Sequence, residues 1–209
     1  MSGAEYFFYE VLMKQKDRLK KLTRCAILIA LATVLSLVKI YKLPLGGSIT
    51  LLSMLPICMI SFMYGVKWGI GGAFVYSVIQ LALDLAEVLT WGLSPISLAG
   101  TVIFDYLLAF TLLGLSGVFR NTKKGTLAIL AGAALSMLGR FICHLISGTL
   151  IFDIWLPDGW NDPFIYSVCY NGSFMLPELI ITAVALVIVI RIPHMVKAFF
   201  KDFFSTPEI

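Results

Sequence analysis

Arg140, His144, Gly148 and Phe152 recur every four residues within GRFICHLISGTLIF (139–152), a stretch that sits in an apolar run long enough to cross a membrane. At that spacing successive positions drift only ~40° around a helix of 3.6 residues per turn, so the four line one broad face. A charged or ionisable side chain at membrane depth costs on the order of 2.5–3.5 kcal/mol by insertion scales, and usually faces protein or a water-filled cavity. That face is therefore a candidate binding wall; the competing reading is a packed polar contact between helices. Three further groups bear on the choice: Asp105 with Tyr106 beside it, Tyr166, and Asn171. A carboxylate neutralises a cation, aromatic rings stack on a flat or charged ring, and an amide pairs with both a donor and an acceptor edge. Together they describe a site for a small, flat, cationic heterocycle. An intramembrane enzyme using His144 as base ranks last, because no nucleophile or metal pair stands at convincing spacing. No catalysis and no cofactor are expected.

The elements that must position these groups are set by composition. With 59% hydrophobic and 13% charged residues among 209, the chain lies far from the soluble average of roughly 45–50% and 25%. It reads as an all-α, polytopic membrane protein forming a single domain over residues 1–209. There is room for about six spans of ~20 residues and none for a soluble ATPase domain. ATP-driven work would have to come from partners. Cys25, Cys58, Cys143 and Cys169 form no C-x-x-C pair and read as buried small hydrophobes. The N-terminal stretch is too polar, and too poor in a cleavage site, for a signal peptide, so the first span is expected to be retained.

Spans are expected at about 25–40, 49–64, 68–88, 98–119, 126–152 and 165–190. A basic lead-in with Lys14, Lys16, Arg18, Lys20, Lys21 and Arg24 suggests a short interfacial helix before the first span, and favours lipid over nucleic acid as its neighbour. Residues 41–50 hold Pro44, Gly46 and Gly47 and read as a bent loop able to act as a lid. Pro56 is expected to kink span two or to make local backbone groups find other partners. Gly69, Gly71 and Gly72 invite tight packing in span three, while Asp84 and Glu87 at its far end read as a solvated rim. Nearly all Lys and Arg fall in the N-terminus, the 65–67 turn, the 120–124 loop and the tail, leaving only Lys39 and Lys42 on the other side. The positive-inside rule then puts both termini in the cytoplasm, which agrees with six spans. Asp105, His144, Tyr166 and Asn171 converge in the outer half of such a bundle.

The strings GGSITLLSMLP (46–56), DYLLAF (105–110), GRFICHLISG (139–148) and IYSVCYNGSFMLPE (165–178) resemble the thiamine-specific S component of energy-coupling factor transporters, across essentially all six helices. The resemblance implies a thiamine pocket to which Asp105, Tyr106, His144, Gly148, Tyr166 and Asn171 contribute, with Phe152 where some relatives stack a tryptophan. Some relatives place a covering tryptophan where Gly47 stands here, which leaves Trp91 or Trp155 as its replacement. Ala26 and Ala30, a small-xxx-small pair, match the helix face that docks on the transmembrane coupling subunit. The implied partners are thiamine, that coupling subunit, two ATPase subunits and the lipid bilayer of a prokaryotic cell membrane, with no nucleic acid. A stand-alone proton-coupled transporter, with Asp105 and His144 titrating, is the alternative; no internal repeat of two halves supports it.

Overall fold

The basic lead-in and the first apolar segment are continuous. In the computed structural model, which describes residues 3–153 and 156–204, the lead-in runs into the first apolar segment as one 35-residue helix, α1 (Gly3–Leu37). No Gly or Pro interrupts residues 4–43, so nothing separates an interfacial helix from span one, and α1 closes at Leu37 rather than near residue 40. The next segment corrects the expected loop. It is an antiparallel hairpin, β1 (Lys39–Lys42) and β2 (Ser48–Thr50), with Tyr41 opposite Ile49 and Lys42 opposite Ser48. Pro44–Gly46 forms the turn, with Leu45 at φ 60° and Gly46 at φ 93°. Glycine adopts that region without strain, whereas Leu45 is held there by its surroundings.

Helix α2 (Met54–Tyr64) begins after the hairpin, so Pro56 sits in its first turn. A first-turn N–H has no partner within the helix, and the proline therefore helps to start α2 instead of kinking it as expected. At 11 residues α2 rises only about 16 Å, roughly half the hydrocarbon thickness. Four further helices are long and apolar enough to span: one grows from α3 (Val66–Val88), and the others are α4 (Pro95–Thr122), α5 (Gly125–Leu150) and α6 (Pro163–Ile190). Helix α4 is irregular. It passes from an α-helical start into a π-helical stretch, Val102–Leu108, and later into a 3-10 stretch, Leu112–Gly117. Beyond α6 the tail folds under the bundle, where the buried rings of Phe200 and Phe203 lie 5.5 and 5.6 Å from Phe62.

Small residues let these helices approach closely, as expected where lipid supplies no hydrophobic drive between them. A Cβ on Gly69 would lie 2.5 Å from the Gly114 carbonyl and from the Ser61 side chain. The Ser61 hydroxyl donates to that carbonyl at 2.6 Å and accepts from the Gly117 N–H at 2.9 Å. Gly72 packs on Ile60, but Gly71 faces open space, so only two of the three span-three glycines serve packing. Polar side chains such as Ser61, Ser116, Gln80, Arg140 and Glu178 are buried, while Ile27, Leu127, Leu138 and Val184 face outward. Cys25, Cys58 and Cys143 are buried as expected; Cys169 is exposed on the outside of α6. Substituting Gly69→Val should force α3 and α4 apart and cost about 1–3 kcal/mol. Thermal unfolding in detergent should report a lowered midpoint, and an unchanged midpoint would refute this packing account.

Candidate binding cavity

The π-helical stretch of α4 places Asp105 beside α5. Asp105 Oδ1 lies 2.8 Å from His144 Nδ1, and Oδ2 accepts from the Ser147 hydroxyl. On the far side of the imidazole, Arg140 Nε donates to His144 Nε2 at 3.2 Å. A guanidinium can only donate, so Nε2 must be the acceptor and the imidazole proton resides on Nδ1, which donates to Asp105. This arrangement is a chain: Arg140, His144, Asp105, Ser147. Arg140 is 7% exposed, donates also to Met54 Sδ at 3.1 Å, and lies 4.2 Å from the Phe110 ring centroid in a cation–π contact.

These groups form one wall of a cavity of about 110 Å³. The seven residues expected in the pocket line it: Asp105, Tyr106, His144, Gly148, Phe152, Tyr166 and Asn171. Phe152 lies just past the end of α5, and its ring meets that of Trp91 edge to face at 5.8 Å. Gly148 is required for the α5–α6 approach, because a Cβ there would collide with the Ser167 hydroxyl. The Asn171 amide nitrogen donates to the carbonyls of Ser167 (2.9 Å) and His144 (3.3 Å), which fixes the orientation of the amide. Among the described residues nothing donates to its oxygen, which is left as an acceptor. Tyr106 is 7% exposed, with its hydroxyl 3.4 Å from Asp84.

The roof is the hairpin. The Tyr170 hydroxyl accepts from the Gly47 N–H at 3.1 Å and donates to the Pro44 carbonyl. Lower on α6, Glu178 accepts from the Thr50 amide and hydroxyl at 2.5 and 2.7 Å. Asp84 and Glu87 form a partly solvated rim, as expected, and in addition meet the hairpin lysines, Lys39 at 3.7 Å and Lys42 at 2.8 Å. A Cβ on Gly47 would stand 2.7 Å from the Tyr170 hydroxyl and 2.9 Å from Phe174, so this position has no room for an aromatic ring. Trp91 packs against Gly46 instead and lines the cavity. Trp155, the other lid aromatic considered, lies outside the described residues.

Sequence reasoning missed the roles of Tyr170 and Phe174, although Tyr166, Tyr170 and Phe174 form a visible four-residue stripe on α6 and line the cavity together. Ser147 carried no signal of its own, since its role depends on a carboxylate 42 residues away. The result is a small chamber whose lining carries one carboxylate, one guanidinium, an amide acceptor and aromatic walls, an arrangement that fits a small flat polar ring.

The sequence profile of the family described as Thiamine transporter protein (Thia_YuaJ) matches residues 22–197. The chain belongs to this thiamine transporter family. It is similar to the thiamine transporter ThiT of Bacillus subtilis (strain 168), with 31% identity over 199 residues, covering 89% of this chain and 98% of that one. It is also similar to ThiT of Lacticaseibacillus paracasei, with 24% identity over 166 residues, covering 73% of this chain and 79% of the relative. A solved structure of ThiT from Listeria monocytogenes matches with a TM-score of 0.67 and 22% identity, covering 86% of this chain and 98% of the other. That last likeness establishes the thiamine transporter family's fold here, a mostly helical membrane bundle. The thiamine transporter profile takes in the cavity walls of α4, α5 and α6, and the hairpin with them.

The hairpin makes its own prediction. Gly47→Val should push the roof off Tyr170 and Phe174 at an overpacking cost of about 1–3 kcal/mol, raising local opening by roughly tenfold or more. Hydrogen exchange should show faster amide exchange across residues 39–50 with α5 unchanged. Equal exchange in both proteins would mean that Tyr170 does not hold the roof.

Proposed function

We propose that this chain is the thiamine-binding S component of an energy-coupling factor transporter. It captures thiamine in the cavity under the hairpin and relies on a membrane coupling subunit and two ATPases for energy. The observation that carries the reading is the cavity itself, with Asp105 and the Asn171 oxygen facing a ring of aromatic side chains. A thiazolium would lie near Asp105, and an aminopyrimidine would offer its N–H to Asn171 while stacking on Tyr166, Tyr170 or Phe152. Membership of a thiamine transporter family supports the same ligand. Six spans, with α1 and the short α2 added to the four long helices, and cytoplasmic termini belong to this proposal. So does a single membrane domain in a prokaryotic cell membrane.

Energy supplied from outside the chain fits two features. Both His144 nitrogens are committed, to Arg140 and to Asp105, so the imidazole is a fixed structural group and not a free proton carrier. Ala26 and Ala30 are exposed on α1, beside the bare surface of Gly71 on α3, which leaves a smooth groove for a partner helix.

Asp105→Asn should weaken thiamine binding far more than binding of an uncharged analogue of the same shape. A hydrogen bond to a charged group is worth ~1.5–3 kcal/mol, which amounts to a tenfold to over hundredfold loss. Calorimetry on the detergent-purified chain measures both; equal losses would make Asp105 a structural residue only.

Replacing both Ala26 and Ala30 with Leu should leave thiamine affinity within about twofold, because neither residue touches the cavity. ATP-dependent uptake in vesicles with the coupling subunit and ATPases should nevertheless fall at least about tenfold, since close helix approach is lost. Normal uptake would reject the docking face.

A further inference from the structure

At the end of the bundle away from the hairpin, a second polar cavity of about 710 Å³ opens between α1, the α2–α3 turn and the tail. Five cationic side chains line it: Lys21, Arg24, Arg120, Lys197 and Lys201. Among the described residues one carboxylate pairs with a lining cation, Asp202 with Arg120. Two buried polar atoms of lining residues, the Tyr64 hydroxyl and Arg120 Nε, have no hydrogen-bond partner among the described residues. The lining cations outnumber their carboxylate partners among the described residues, and such an excess of positive charge favours an anion that supplies acceptors. Lys197 and Lys201 flank the buried Phe200, whose ring packs on Phe62, and Lys21 stands 5.9 Å above the Tyr64 ring.

The remaining walls are apolar, including Ile27, Met63 and Phe199. Ile27 is 60% exposed and leads along α1 to Leu31 and Val34, both also exposed. An anion held only by charge has no use for such a track; an acyl chain does. We propose that this cavity is a binding site for an anionic phospholipid, its phosphate among the five cations and one acyl chain along Ile27, Leu31 and Val34. Basic pockets at the membrane surface recognise lipid headgroups in this way. The site tethers the tail to α1 through the lipid and lies apart from the thiamine cavity.

The test is native mass spectrometry of the full chain in neutral detergent, titrated with phosphatidylglycerol, with phosphatidylcholine of the same acyl chains, and with glycerol 3-phosphate. Phosphatidylglycerol should bind well over tenfold more tightly than either of the others. The double variant Lys197→Gln, Lys201→Gln should weaken it about thirtyfold, and Arg24→Gln, on a different element, about fivefold. An unfolding midpoint within a few degrees of the parent shows that each variant is folded, independently of thiamine. Equal binding of both lipids, or glycerol 3-phosphate binding as tightly as phosphatidylglycerol, would overturn the proposal. So would variants that keep phosphatidylglycerol but no longer co-purify with the coupling subunit, because the cations would then serve an acidic protein surface.

Discussion

A guanidinium buried in the middle of a spanning helix must be given partners from its own protein, and Arg140 dictates much of what surrounds it. It draws on α2 through Met54, on α4 through the Phe110 ring, and on α5 through His144. Because arginine donates only, the imidazole is turned so that its single proton faces Asp105, and Ser147 completes the second carboxylate oxygen. One buried charge thereby orders a line of groups that ends at the cavity wall. Asp105 meets α5 from within the π-helical stretch of α4, the kind of helix irregularity often found at functional sites.

Backbone satisfaction governs the roof in a similar way. A two-stranded hairpin pairs only its inner edges, and any group left over near the membrane needs another partner. Tyr170 supplies one by bridging the Gly47 N–H and the Pro44 carbonyl, and Glu178 supplies another at Thr50. Lys39 and Lys42 anchor the opposite edge to α3. Tyr170 is at once a cavity wall and a hairpin latch, so anything that moves its ring also moves a contact that keeps the roof closed. The tight turn needs Gly46 at positive φ, and the absence of a side chain at Gly47 lets the hairpin lie flat on α6.

Packing elsewhere follows from side chains that are missing. Gly69, Gly114 and Gly117 bring α3, α4 and α2 close enough for Ser61 to bond directly to backbone. The same small side chains recur on the outside of α1, where Ala26 and Ala30 are exposed and line an open groove with Gly71 of α3. The two ends of the bundle also differ in chemistry. One closes over a small aromatic chamber, and the other gathers positive charge around a larger opening.

Hydropathy and helical periodicity are local properties, and they made the membrane class, the long helices and the face of Arg140, His144 and Gly148 legible in the sequence. They also brought out Asp105, Tyr166 and Asn171, because a polar group in an apolar run stands out without reference to any partner. What the tertiary structure decided depends on residues far apart. The stretch around Pro44 and Gly47 is a hairpin and not a loop because Tyr170 and Glu178, more than 120 residues on, hold it. Asp84 and Glu87 tie their partly solvated rim to the hairpin because Lys39 and Lys42 come back to meet them. Pro56 starts a helix instead of kinking one because β2 and the turn after it, through residue 53, delay the start of α2 to Met54. In each case the short-range signal was ambiguous between two conformations, and a distant hydrogen bond, ion pair or strand partner selected one.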